Sequence, residues 1–415
     1  MNWRSLDWWL IACWVALFTI GLFSIYSATL GPVSQFLPEN IRDNFWKQLA
    51  FVGVSIIMVL VIQFTAPRTF QQGAYFFYAF TLMLLGFTLV FGTEVNGAKS
   101  WLRLGGFNFQ VSELGKIGAI LAVSNYLTSS RSISAERFKD ALIAVIIIMI
   151  PAVMILLQND TGTSLVLIAL IPIILFWSGL PYGISVFIVA PAVIGYFTVF
   201  HWFWGLLATL LLTLLVFMVQ RRVWLTIAQL GSGLILVGAI NIILENVLKP
   251  YQVSRIKSFV NPAFDPRGNG WNIIQAKTAI GSGGITGKGF MEGTQTQLRF
   301  LPEQWTDFIF CVIAEEWGFI GAGLTVVLLT FLLLRLLNNA GTHKHPFAQL
   351  VIVGITGVFF VHMLINLASA SGLLPVIGIP LPFVSYGGSS FLTNSFMLAI
   401  CLNFDLYHRE FSIYA

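Results

Sequence analysis

The chain has 415 residues, 57% of them hydrophobic and only 9% charged, with a mean hydropathy of +0.85. Soluble domains carry about 25% charged residues, so this chain lacks the polar surface to cover a water-soluble globule. A cytosolic enzyme, a nucleic-acid-binding module and a small secreted scaffold are excluded, and the net charge of +5 reflects membrane topology more than an acidic partner.

A helix needs about 20 mostly apolar residues to cross the hydrocarbon core. Runs of that kind occupy 8–28, 48–64 and 74–91, then a shorter 114–127 that carries Lys116, then 141–157, 163–177 and 182–200. Further runs occupy 202–219, 223–244, 308–337, 349–367 and 391–406. They predict an all-α polytopic membrane protein of about twelve helices, one domain over 1–415, with both termini on one side. The first run exceeds the roughly 7–15 residues of a signal-peptide core, so it reads as a span. Cys13, Cys311 and Cys401 sit inside apolar runs without zinc spacing and read as buried thiols.

Basic residues set the sidedness. An inside N-terminus places Arg4, Arg68, Arg131, Arg137, Lys139, Arg221, Arg222, Arg335, Lys344 and Arg409 in the cytoplasm. The short outside segments, with the 114–127 span counted among them, hold only Arg42, Lys47, Lys99, Arg103 and Lys116. Tryptophans 8, 46, 177, 202 and 224 at segment ends suit interfacial belts. The one large outside loop, 245–307, is polar and rich in glycine, including Gly268. Within it Trp271, Ile274 and Thr278, flanked by Lys277, predict a short interfacial helix. A second outside loop, 369–390, has no charges but holds Pro375, Pro380, Pro382 and the Gly387-Gly388 pair. Such backbone near a membrane must be covered by other protein.

Ionisable groups in or beside spans are the candidates for chemistry. Asp307 reads either as the N-cap of a helix beginning at Phe308 or as a carboxylate serving as general base or cation ligand. A helix starting at Pro302 would place Glu303 and Asp307 on one face. Glu315 and Glu316, about two turns into the apolar helix, must pair, protonate or face a polar cavity. Glu113 and Lys116 are three apart, the spacing of a helical ion pair. Asp160 stands at a helix start and reads first as a cap, and His362 reads as a packing residue. The run GSGGITGKG (281–289) fails the Walker pattern, yet its glycines beside Lys277 and Lys288 are expected to shape themselves around a pyrophosphate. The residues alone define an outer polar site near Asp307 and leave its substrate open.

Several motifs occur in order: QVSE (110–113) with Lys116, DTGTS (160–164), WNIIQAKTAIGSGG (271–284) and GKG (287–289). After them come GTQTQ (293–297), FLPE (300–303), TDFIF (306–310) and GLLPVIGIPLPFVSYGGSS (372–390). Together they strongly resemble the shape, elongation, division and sporulation (SEDS) family, in its elongation branch, over most of the chain. The resemblance implies a peptidoglycan glycosyltransferase in the bacterial cytoplasmic (inner) membrane. Such a protein polymerises lipid II through β-1,4 bonds on the outer face and releases undecaprenyl pyrophosphate. It also implies a class B penicillin-binding protein and the elongation machinery as partners, a divalent cation (Mg2+ or Mn2+), and no organic cofactor.

The family's essential aspartate falls on Asp307, its other polar positions on Glu113, Lys116 and Asp160, and its outer-loop tryptophan on Trp101. A positioned carboxylate would take the proton of the attacking hydroxyl, and a cation or basic side chains such as Lys116 would meet the leaving pyrophosphate. Lys277, Lys288, Glu303 and Glu315 are expected to bind or support. Family members usually have ten spans, which implies an inserted pair within 182–244. Val111 and Asn159 stand where proline is usual, and Trp305 where a polar residue is usual. A lipid II flippase and a non-catalytic scaffold for the transpeptidase are the competing functions.

Overall fold

The computed structural model describes residues 6–32, 38–95, 97–104, 107–129, 138–246, 248, 250–264 and 269–408. Of the residues named above, Arg4, Arg131, Arg137, Arg409 and Gly268 lie outside the described residues. Long helices stand at every predicted place: α1 (Trp8–Leu30), α3 (Asn44–Ile62), α5 (Ala74–Phe91), α6 (Val111–Thr128), α7 (Phe138–Leu157) and α8 (Thr161–Trp177). They continue as α9 (Tyr182–Phe200), α10 (Trp202–Gln220), α11 (Val223–Asn246), α15 (Ile309–Thr342), α16 (Pro346–Ala370) and α17 (Gly388–Leu406). Short helices α2 (Glu39–Arg42), α4 (Pro67–Gln72), α12 (Pro250–Val260), α13 (Asn269–Ser282) and α14 (Thr294–Gln297) join them.

Among the described residues nine helices are long and apolar enough to cross a membrane. Of the three that fall short, α6 and α17 pack inside the bundle, where protein rather than lipid surrounds their polar side chains, whereas α8 is apolar but only 17 residues long and exposes Leu165, Ile168 and Phe176. One continuous core runs from Leu10 and Leu17 through Ile117 and Leu170 to Phe359 and Leu398. Helix α16 lies at its centre, in contact with α6, α8, α15 and α17. Helices α9, α10 and α11 form a separate small core around Ala190, Ile194, Ala208 and Val237.

The all-helical expectation gains one small sheet. β1 (Thr93–Val95), β2 (Ala98–Leu104) and β3 (Phe107–Gln110) form an antiparallel meander in the segment between α5 and α6. Its register sets Trp101 opposite both Thr93 and Gln110.

Helix α15 is broken at Gly318, whose φ of 64° and ψ of −159° leave the helical region. Backbone groups freed inside a membrane protein must find new partners, and the glycine run supplies them. Lys288 N donates to Glu315 O at 3.0 Å and Gly289 N to Glu316 O at 3.1 Å, while Phe319 N and Ile320 N donate to Gly284 O and Ile285 O. Lys288 N and Gly289 N, two of the groups expected to face a pyrophosphate, are thereby taken up in splicing a broken helix. Gly287, at φ 84°, and Gly318 lie so close that a Cβ on either meets the other segment's backbone. Gly318→Ala or Gly287→Ala is expected to cost about 1–3 kcal/mol from the strained φ alone, with the clash in addition. Melting of the detergent-purified variants checks this, and parent-like melting would contradict the splice.

Helix α13 forms where the short helix was expected. Trp271 and Ile274 are exposed, and Ala276 and Ala279 pack on Leu301, Phe308, Cys311 and Ala370 near the start of α15 and the end of α16.

At the opposite end of the bundle Asp7 caps α1 by accepting from Trp9 N, and its carboxylate also receives Arg335 Nε at 2.6 Å. Nearby, the Nδ1 atoms of His343 and His408 lie 2.9 Å apart. Burial first, then His408 and His345, push His343 down from 6.5 to about 4. The folded chain keeps this imidazole neutral, whereas the unfolded chain protonates it near 6.5. Its contribution to stability is complete above that pH and drains as pH falls towards 4. The melting temperature is expected to decline through this window, and His343→Phe to flatten the decline; equal slopes would contradict the assignment.

Candidate active site

The polar residues at the Asp307 end of the bundle form three hydrogen-bonded groups, brought together by the packing of α6, α8, α16 and α17. Asp160 caps α8, accepting from Thr163 N at 3.1 Å and from Thr163 Oγ1 at 3.0 Å. Asn159 precedes it at φ 63°, a left-handed conformation that asparagine tolerates and that proline, fixed near −65°, does not reach. The same carboxylate accepts from Ser112 Oγ and Gln110 Nε2, each at 2.8 Å. Asp160 thus ties the start of α8 to the junction of β3 and α6. Ser389, at the start of α17, accepts from Gln110 N at 3.0 Å.

One turn further along α6, Lys116 is completely buried. Its ammonium lies 3.0 Å from Glu113 Oε1, 2.9 Å from Glu113 Oε2 and 3.0 Å from His362 Nε2. The ammonium is hydrogen-bonded to Glu113 Oε1 and His362 Nε2, and Glu113 Oε2 completes the ion pair. His362 Nδ1 faces Pro380 O at 3.2 Å. A carbonyl only accepts, so the network assigns the proton to Nδ1 and leaves Nε2 as the acceptor for Lys116. Four residues on, Asn366 Nδ2 donates to Asp307 O at 3.0 Å and to Ile379 O at 2.8 Å.

Asp307 is half-buried, and its expected N-cap position is corrected. Helix α15 begins at Ile309 with Phe308 at the cap. Residues 302–308 form turns in which Thr306 N and Asp307 N both donate to Glu303 O. Glu303, at φ 50°, stops any helix that Pro302 would start, and its side chain is exposed. The loop after α16 is sewn to this segment. Ser385 Oγ donates to Thr306 O at 2.7 Å, and Tyr386 N donates to Trp305 O at 2.9 Å. Gly378, at φ 81°, lies beside the Asp307 carboxylate, with Oδ2 3.5 Å from where a Cβ would stand.

The other expected residues take different places. Lys288 Nζ is held by Glu315 Oε1 at 2.8 Å, Ser282 Oγ at 2.8 Å and Thr294 Oγ1 at 2.7 Å. Glu315 also accepts from Gln295 N and Thr296 N at the start of α14, which realises the pairing alternative for this buried glutamate. Glu316 accepts from Ser27 and Gln297. Lys277 is exposed on α13 and crosses Gly372 just beyond α16. Trp101 joins the site through its β partner Gln110.

Residue-level reading missed Gln110, Ser112, His362 and Asn366 as connectors. The four-residue spacing of His362 and Asn366 on an apolar helix was the available signal.

These elements define a polytopic helical membrane protein with its polar machinery gathered at one end of the bundle. The FtsW, RodA and SpoVE family model, described as "Cell cycle protein", matches residues 7–206 and 204–410. The chain belongs to that family. It is 33% identical to peptidoglycan glycosyltransferase RodA of Treponema pallidum (strain Nichols), covering 93% of this chain and 94% of that protein. It is 32% identical to peptidoglycan glycosyltransferase MrdB of Escherichia coli (strain K12), covering 88% and 86%. Among solved structures, it superposes with a TM-score of 0.74 and 26% identity on a chain from work on "Structural coordination of polymerization and crosslinking by a peptidoglycan synthase complex". That match covers 98% of this chain and all of the other. The Thermus thermophilus rod shape determining protein RodA gives 0.64 and 25%, covering 99% of each chain.

Proposed function

We infer that this chain is a peptidoglycan glycosyltransferase of cell elongation. It polymerises lipid II into β-1,4-linked strands at the outer face of the cytoplasmic (inner) membrane, with both termini cytoplasmic. It releases undecaprenyl pyrophosphate and works beside a class B penicillin-binding protein and the elongation machinery. One observation carries this reading: Asp160, the Glu113–Lys116 pair and the Asp307 backbone, from three separate segments, are each hydrogen-bonded to one of the packed helices α6 and α16.

Attack by the acceptor 4-hydroxyl requires loss of its proton, a role we assign to the half-buried carboxylate of Asp307. An α-linked donor giving a β product inverts the anomeric centre, so one displacement with one base suffices. Lys116 is completely buried and engaged by Glu113 and His362, and it therefore supports this shell from behind instead of meeting the leaving group.

Among the described residues no three His, Cys, Asp or Glu side chains converge as a metal cage. A divalent cation would instead be held by Asp307 and the substrate's pyrophosphate, the mode usual for Mg2+, and would neutralise the leaving group. Purified protein with its transpeptidase partner and labelled lipid II tests the reading. Muramidase-sensitive strands are expected from the parent and not from Asp307→Ala. Equal strands from both would overturn the catalytic assignment, and strands from neither would overturn the glycosyltransferase reading.

A further inference from the structure

Helix α16 carries a polar stripe, His362, Asn366 and Ser369, at helical spacing within otherwise apolar packing. All three side chains hold backbone carbonyls. Ser369 Oγ donates to Pro375 O at 3.0 Å, Asn366 Nδ2 to Ile379 O and Asp307 O, and His362 Nδ1 contacts Pro380 O. Pro375, Ile379 and Pro380 lie outside any helix or strand, so their carbonyls need side-chain partners where water is scarce. His362 alone also faces the other way, towards Lys116. His362 and Asn366 are each 2% exposed, so they act through other groups and not on substrate directly.

We propose that His362 and Asn366 are positioning residues of the transfer reaction. One rigid helix face suspends the Asp307 backbone and the Ile379–Pro380 carbonyls, and His362, protonated at Nδ1, locks that face against the Lys116–Glu113 pair. This role rests on the glycosyltransferase reading. It explains how the pair on α6 and Asp307, in separate segments, keep a fixed relation. Asn366 sets the height of the Asp307 main chain, and His362 sets where the loop beside its carboxylate runs. A misplacement of about 1 Å is enough to cost on the order of 100-fold in rate.

The test uses the full-length protein with its transpeptidase partner and lipid II. Asn366→Ala is expected to lower kcat per folded molecule about 10- to 100-fold with KM near the parent's, and to melt below the parent because Asp307 O and Ile379 O lose their donor. His362→Asn keeps an N–H donor for Pro380 O but no longer reaches Lys116, whereas His362→Gln reaches Lys116 and loses Pro380. Each is expected to retain more activity than His362→Leu. A 15N-histidine spectrum at pH 7, assigned by the signal missing from His362→Asn, is expected to show the neutral Nδ1–H tautomer.

Parent-like kcat per folded molecule in Asn366→Ala and His362→Leu would overturn the positioning role. Loss of folded protein with kcat per folded molecule unchanged would also overturn it, as would an Nε2–H or doubly protonated His362. A parent that makes no strands would instead sink the glycosyltransferase reading, and this role with it. Strands from the parent alongside parent-like variants would sink the positioning role alone.

Discussion

Asp307→Ala and Asp307→Asn are expected to polymerise lipid II at least about 100-fold more slowly than the parent while melting within a few degrees of it. General-base assistance contributes about 10²–10⁴-fold, or roughly 3–5 kcal/mol of barrier. The small structural cost follows from the geometry. Asp307 is half-buried and does not cap α15, and Asn366 holds its carbonyl oxygen, which both variants keep. Asparagine preserves the size of the side chain but neither accepts the hydroxyl proton nor offers a charged ligand. The base and the cation-organising roles therefore both forecast its failure. Initial rates of strand formation, read with a melting curve for each variant, check the prediction; an active Asp307→Asn would contradict both roles.

The second large effect is expected at Lys116. Lys116→Met leaves the Glu113 carboxylate uncompensated in a site where both side chains are almost wholly inaccessible. Breaking one side of a buried ion pair costs about 3–5 kcal/mol, whereas replacing both partners by apolar residues is often neutral. Lys116→Met is thus expected to melt far below the parent, and Glu113→Leu combined with Lys116→Met to recover most of that loss. The double variant is not expected to recover activity, because His362 no longer has the ammonium that fixes it. Melting and strand synthesis on the three variants separate stability from positioning. Full activity in the double variant would show that the pair serves folding alone.

Features that depend on local spacing were legible before the structure. Glu113 and Lys116 pair because residues three apart on a helix are neighbours, and Asp160 caps α8 because the backbone N–H groups there lack helical partners. The helical segments followed from the length of each apolar run. Asp307 is not the cap because α15 begins one residue later than expected, at Ile309 after a turn containing the left-handed Glu303, a detail hydropathy does not encode. The glycine run looked like an anion loop because the signature of flexible backbone is the same whether it wraps a phosphate or splices a broken helix. Lys288 with Glu315, and Lys116 with His362, are 27 and 246 residues apart in sequence, and only packing brings them together. The outer sheet escaped because its strands are short and lie in a segment read as a loop.

The most direct test of the central claim presents lipid II to oriented proteoliposomes from one leaflet at a time, with the transpeptidase partner present. Glycosyl transfer at the outer face predicts glycan strands from lipid II in the leaflet at the Asp307 end, with undecaprenyl pyrophosphate released as strands grow. No strands from either leaflet, together with lipid II equilibrating across the bilayer, would contradict it and identify a transporter.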